Sequence, residues 1–188
     1  MNLIATVDKN WAIGKQGHLL VNIPEDIKLF RMETAGKAAI MGRKTYEQIT
    51  DRTALIDRYN VVLTSDLSYK KDGVVVVHSV EEALEKVASY KSEDIYVIGG
   101  ESVFEQFLPY CDVAHITSVD YKYAKTIGFY NRSDQFFCLL FVFFSSAQIL
   151  TTFFDLGNLS KNSFISLYTR KSGRNRPLLN SHLLTTLL

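Results

Sequence analysis

The chain has 188 residues, 47% hydrophobic and 22% charged, with a net charge of +1. That length and composition suit one domain with a buried core and exclude an intrinsically disordered chain. Two cysteines, Cys111 and Cys138, with no CxxC pair, exclude a disulfide framework and give no zinc signature, so no metal site is expected.

In chain order, residues 3–7 read as a strand, followed by a glycine-bearing loop with Gly14 and Gly17. Pro24, Glu25 and Asp26 open a helix running to about Glu33, because proline suits the first helical position and acids suit the first turn. Residues 38–41 form a second strand ended by Gly42, and residues 43–49 a short helix. Residues 60–63 and 74–77 are β-branched strands. Ser79 and Glu82 are spaced as a capping box for a helix to about Ala88. Residues 95–98 form a strand closed by Gly99-Gly100. The next helix pairs Val103 with Phe107 and Phe104 with Leu108 at i,i+4, and residues 113–119 form a further strand. Alternation of apolar strands with helices predicts an α/β fold of three layers, a mainly parallel central sheet with helices on both faces.

Ligands in such sheets bind beyond the carboxyl ends of the strands. Three candidate sites fall there: Gly42-Arg43-Lys44-Thr45, Thr64-Ser65 and Gly99-Gly100. The paired glycines suit either a tight turn or close approach of the backbone to a phosphate. Arg43 and Lys44 at a helix start are either solvated or neutralised by a bound anion, since that helix end is already positive. Two phosphate-suited strand ends point to a dinucleotide, and the extra cations to the 2′-phosphate of NADPH. Asp26 shares a helix face with Leu29 and Phe30, so it is either a cap or a carboxylate able to handle a proton. Arg58, before a strand, is either a surface charge or a bidentate clamp for a carboxylate.

Beyond these readings, several ordered motifs resemble bacterial dihydrofolate reductase. They are Leu3-Ile4-Ala5, Ile13-Gly14, Ile23-Pro24-Glu25-Asp26 with Phe30, and Ile40-Met41-Gly42-Arg43-Lys44-Thr45-Tyr46-Glu47. Arg58-Tyr59-Asn60-Val61-Val62-Leu63-Thr64-Ser65 and Val97-Ile98-Gly99-Gly100-Glu101-Ser102-Val103-Phe104 complete the set. The resemblance covers about residues 1–124. It implies an oxidoreductase acting on a CH–NH group, reducing dihydrofolate to tetrahydrofolate with NADPH for one-carbon metabolism. Asp26 would hold the pterin and promote protonation at its N5. Ile4, Ala5, Leu29, Phe30, Ile49, Arg58 and Thr117 would complete the substrate site, with Arg58 on the glutamate α-carboxylate and Thr117 supporting Asp26. Thr6, Ile13, Gly14, Gly17, His18 and Leu19 would meet the cofactor, residues 13–19 closing over the nicotinamide. Gly42, Arg43, Lys44, Thr45, Leu63, Thr64, Ser65 and His78 would line its adenosine side. Ile98, Gly99, Gly100, Glu101, Ser102, Val103 and Phe104 would cradle the pyrophosphate. The implied enzyme is a cytoplasmic monomer with a small-molecule substrate. The alternatives are an inactive, C-terminally altered product that only partly folds, and a related NADPH-dependent pyrimidine or pterin reductase.

Three departures stand out. Leu20-Val21 replaces the family's Pro-Trp, whose Trp helps hold a water near the pterin. Ile56-Asp57-Arg58 replaces a Pro-Gly-Arg turn, placing an acid beside the presumed clamp. After Ala124 the family's closing strands are not recognisable, so they are read as missing or replaced. Residues 1–124 carry 14 Lys/Arg and 18 Asp/Glu, whereas residues 125–188 carry seven Lys/Arg and two Asp and hold nine of the twelve Phe. The acidic first part gives no reason to expect nucleic-acid binding. The amino terminus has no signal-peptide pattern. The tail, residues 125–188, reads as an aberrant Phe/Leu/Ser-rich segment. A reading-frame change is the leading explanation; a membrane segment over 135–154 and a genuine extension are the others.

Overall fold

The β-branched and apolar runs form strands, and the runs opened by proline, serine or acids form helices, with bounds close to those expected. The structure, a computed structural model, describes residues 1–8, 12–15, 18–49, 55–121, 123, 153–154 and 166–170. In chain order come β1 (Asn2–Val7), β2 (Gly14–Lys15), β3 (His18–Leu19), α1 (Pro24–Thr34), β4 (Ala38–Gly42) and α2 (Arg43–Ile49). Then follow β5 (Tyr59–Leu63), β6 (Val75–Val77), α3 (Val80–Lys86), β7 (Ile95–Gly99), α4 (Glu101–Phe107) and β8 (Val113–Val119). Two further strands, β9 (Phe153–Phe154) and β10 (Ser166–Arg170), lie in the tail.

The local signals act as physics requires, with one shift. Pro24 stands in the first turn of α1, followed by Glu25 and Asp26 at its positive end. Ser79 caps α3, its Oγ accepting from the Glu82 amide at 3.1 Å. The expected reciprocal bond is displaced: the Glu82 carboxylate accepts from the His78 amide at 2.8 Å rather than from Ser79. Glu82 thereby ties the exit of β6 to the start of α3.

The main sheet has the order β10-β8-β1-β7-β4-β5-β6, with β9 also beside β8. The six strands from β8 to β6 are parallel, and β10 is antiparallel to β8. Each face is covered, as the alternation predicts. One core joins Leu3, Ile40, Val61 and Val97 to Val103, Phe104 and Phe107 of α4 and Ala83 of α3. The other joins Ala39, Met41, Val62, Tyr96 and Ile98 to Tyr46 of α2 and Phe30 of α1. Each fully buried side chain of this size contributes about 1.5–3 kcal/mol, so the two cores outweigh any surface ion pair. Cys111 is buried and free, and burial pushes its thiol up to about 12. Cys138 lies outside the described residues.

The outer edge of β8 corrects one alternative for the closing strands: they are replaced, not missing. Ser166–Arg170 pairs with residues 113–117, and Phe153–Phe154 pairs with Ser118 and Val119. Backbone pairing needs N–H and C=O groups rather than particular side chains, so a segment without family-like sequence fills the place. No helix among the described residues is long and apolar enough to cross a membrane. Most of the proposed span, 135–154, lies outside them.

A polar cluster sits beneath α1, on β7 and β8. The His115 ring lies 5.4 Å from that of Tyr96, whose hydroxyl donates to Glu33 at 3.1 Å. Lys37 Nζ lies 4.8 Å from the Tyr96 ring centroid. Burial pulls the imidazole down to about 4; Glu33 opposes this and Lys37 adds to it. The unfolded ring takes up a proton near pH 6.5 and the folded ring only near pH 4, so stability is lost as pH falls through that window. We expect His115→Phe to remove this term. In urea unfolding at about pH 7 and about pH 4.5, the unmodified chain should lose roughly 2 kcal/mol more than the variant. Equal losses would discount His115 as the source.

Candidate functional site

Parallel pairing of β8, β1, β7, β4, β5 and β6 brings their carboxyl ends to one edge. Met41 pairs with Gly99 after a register shift at Ile40/Met41, so Gly42 and Gly99-Gly100 stand side by side. A Cβ on Gly42 would come within 3.2 Å of Val103 Cγ2, and one on Gly100 within 3.2 Å of Thr45 Oγ1. Gly99 has φ +119, and a Cβ there would meet the Phe104 ring at 3.2 Å. The peptide between Gly99 and Gly100 is cis. Next along the edge, the Thr64 amide donates to Val77 O at 3.0 Å, and His78 Nδ1 lies 2.9 Å from Thr64 O. All three sequence-derived sites are therefore one continuous wall.

Arg43, Lys44, Ser65 and His78 give that wall a cationic, hydroxyl-rich end. Arg43 is ion-paired with Glu47 at 3.5 Å, and its guanidinium lies 5.7 Å from the Tyr69 ring centroid. The like-charge conflict at the start of α2 is thus eased within the chain, by Glu47 four residues on. Lys44, Ser65 and His78 are exposed. Asp66 is an acidic neighbour that the motif reading did not single out. Bonds from the Ser68 hydroxyl and amide hold its carboxyl below the usual range, with Arg43 and His78 adding to that effect. Its position directly after Thr64-Ser65 was the available signal.

At the other end of the edge stands Asp26, half-buried in the first turn of α1. Thr6 Oγ1 donates to its Oδ2 at 2.5 Å, and Thr117 Oγ1 donates to its Oδ1 at 2.6 Å. Thr117 is where the resemblance implies. Thr6, expected at the cofactor, directs its hydroxyl to the same carboxylate. Phe30, one turn along α1, packs with Ile4 against the same core. Ala5 points to the opposite face, against the α3–α4 core, so only its backbone is available on the Asp26 side.

The next turn of the same helix face, Thr34, was missed although it follows Asp26 and Phe30 at i,i+4 spacing. Buried Thr34 Oγ1 accepts from Arg58 Nε at 2.7 Å and donates to Phe30 O at 2.7 Å. Arg58 also donates to Ile56 O at 2.7 Å and Arg31 O at 3.2 Å, with its guanidinium 5.7 Å from the Phe30 ring centroid. Burial and Arg31 draw Arg58 below its ordinary range, and Asp57 opposes them. Asp57 has φ +60, which accounts for glycine at this turn position in the family; aspartate is among the residues that tolerate that region. Asn60, buried, fixes the turn by donating to Leu55 O at 3.0 Å and Arg58 O at 2.9 Å.

The remaining expected residues divide by exposure. Ile13 is half-buried against the α3–α4 core; Gly14 pairs with Leu19 in a hairpin whose His18 and Leu19 are exposed; Gly17 lies outside the described residues. Leu29, Ile49 and Leu63 are half-buried. Ile98, Val103 and Phe104 are buried, so at the edge they offer backbone rather than side chains. Glu101 is half-buried, and exposed Ser102 accepts from Gln106 through both O and Oγ. Val21, in place of the family Trp, packs with Tyr123 against Ile23 and Val119. No group of three or more possible metal-ligating side chains occurs among the described residues.

A glycine-walled cationic edge thus lies at the same end of the sheet as a carboxylate held by two hydroxyls. The profile of the family described as dihydrofolate reductase matches residues 1–140, past the composition break. Dihydrofolate reductase of Enterococcus faecium is 38% identical over 117 residues, covering 62% of this chain and 69% of that one. The Staphylococcus aureus enzyme is 31% identical over 137 residues, covering 73% and 77%. The structure of Enterococcus faecalis dihydrofolate reductase complexed with NADP(H) and RAB-propyl superposes with a TM-score of 0.69 at 27% identity, over 92% of this chain and 96% of that one. The chain belongs to the dihydrofolate reductase family.

The wall itself is testable without ligand. Gly36→Ala meets no atom within 4 Å at φ +71 and should pay only the left-handed cost, about 1–2 kcal/mol. Gly99→Ala adds the Phe104 contact and should cost more, about 1–3 kcal/mol beyond it. Denaturant unfolding of both variants checks the order; a smaller loss for Gly99→Ala would contradict the packing described.

Proposed function

We propose that this edge reduces 7,8-dihydrofolate to 5,6,7,8-tetrahydrofolate with NADPH, as a cytoplasmic monomer. The observation that carries the reading is Asp26, a single half-buried carboxylate with both oxygens held, on the same edge as the glycine wall. The donor set suits the cofactor: Arg43, Lys44, His78 and the Thr64–Ser65 hydroxyls match phosphate and ribose oxygens. NADPH, when bound, supplies the hydride that reaches the pterin C6.

The chain's residues do the rest by position and charge. Gly42, Gly99 and Gly100 let backbone approach the pyrophosphate, with no side chain between. Asp26 keeps one lone pair on each oxygen beyond those used by Thr6 and Thr117, enough for two donors on the pterin edge. Its negative charge there favours a proton arriving at N5. Phe30 covers the ring system, and Ile4, Leu29 and Ile49 exclude water around it. Arg58 is directed by Thr34 and two carbonyls toward the glutamate α-carboxylate. Residues 1–124 form the catalytic domain in this reading, supported by the change of composition beyond them.

Two variants test separate parts. Asp26→Asn should lower turnover at neutral pH by about 10²–10⁴-fold while NADPH affinity stays within twofold, read by loss of absorbance at 340 nm and by fluorescence titration. Near-unmodified turnover would remove Asp26 from the mechanism. Thr34→Val frees the Arg58 Nε, so KM for dihydrofolate should rise by roughly tenfold with kcat little changed, the cost of one charge-assisted bond. If kcat falls instead and KM holds, Arg58 does not serve as the carboxylate clamp.

A further inference from the structure

The geometry points to Thr6 as a positioning residue for the Asp26 carboxylate, its hydroxyl acting with that of Thr117; this rests on the reading of Asp26 given above. Thr6 and Thr117 are register partners on the adjacent parallel strands β1 and β8. Neighbours in such a pair share a face, so their hydroxyls emerge side by side beneath α1. Each takes a different oxygen of Asp26, at 2.5 Å and 2.6 Å. Two anchors on two oxygens fix the carboxylate plane, where one anchor leaves it free to turn about its own bond. They also use one lone pair on each oxygen, leaving the outward pair facing the edge where a planar two-donor group would pair.

Other titratable groups lie further along: His115 two positions before Thr117 on the same face of β8, and Asp8 beyond the end of β1. The Asp8 carboxylate accepts from the Ala12 amide at 2.9 Å and the Tyr123 amide at 3.2 Å. Among the described residues Asp26 forms no ion pair, so the two hydroxyls are its fixed partners.

The test is a crystal structure of the full chain without ligand, together with the Asp26 carboxyl-carbon NMR resonance at neutral pH, two readouts independent of turnover. In Thr6→Val, which keeps the shape and removes the donor, the carboxylate plane should turn from its position in the unmodified chain and the resonance should move. Thr6→Ala should do the same, covering the case in which valine does not fold. Thr6→Ser, which restores the donor, should return both to those of the unmodified chain. NADPH affinity, measured by fluorescence, should stay within twofold in all three. An unmoved carboxylate with a coincident resonance in a hydroxyl-free variant would overturn the proposal, as would a large loss of NADPH affinity without either change. Absence of dihydrofolate reduction in the unmodified chain would instead refute the functional reading, leaving the structural result to stand by itself.

Discussion

The parallel alignment of β1 with β8 is the constraint from which the site follows. It sets Asn2 beside Val113 and continues in step to Val7 beside Ser118. Because side chains alternate between faces, this one register decides that Ile4, Thr6, His115 and Thr117 all lie under α1, while Leu3, Val7, Ala114 and Ile116 enter the opposite core. A slip of one residue would exchange the sets, burying hydroxyls among the α4 aromatics and leaving Asp26 facing apolar side chains. The apolar half of the register, enforced by burial, thus holds the polar half in place. The same parallel order carries the glycine turns to the edge where Asp26 stands. Fold stability and site geometry share one cause.

Arg58 shows the same economy on a smaller scale. Its guanidinium has three protein acceptors: Thr34 Oγ1, Ile56 O and Arg31 O. Those bonds aim a long side chain that would otherwise sample many rotamers, so its ordering cost is met on folding rather than on binding. Asp57, which looked hostile to a carboxylate site, is used for its backbone: the Gly36 amide donates to Asp57 O at 2.7 Å and closes the turn.

Most of the architecture was legible because it depends on local pattern. The β-branched runs at 60–63 and 74–77, the Pro24 start and the Ser79 cap each carry their own cause. The position of Asp26, Phe30 and the glycine turns also followed from spacing and strand ends. What escaped depends on contacts distant in sequence. The bond from Thr34 to Arg58 joins residues 24 apart, and that from Thr6 to Asp26 joins residues 20 apart. Neither hydroxyl carries a local mark of its partner; a buried threonine is as often a packing residue. The Glu82 displacement escaped for the opposite reason, since one extra backbone position lies within the reach of a glutamate side chain. Completion of the β8 edge by Ser166–Arg170 was invisible because strand addition leaves little trace in side-chain identity.

That last pairing has a consequence during synthesis. β8 ends at Val119, and its antiparallel neighbour begins only at Ser166. At elongation speeds of about 5–20 residues per second, the outer side of β8 waits roughly 2–10 s for its partner to leave the ribosome. For that interval the nascent chain offers a row of free amides and carbonyls with no covering strand. Such a row is a template for pairing with another chain, so those seconds are an interval in which the nascent chain can associate with a neighbour.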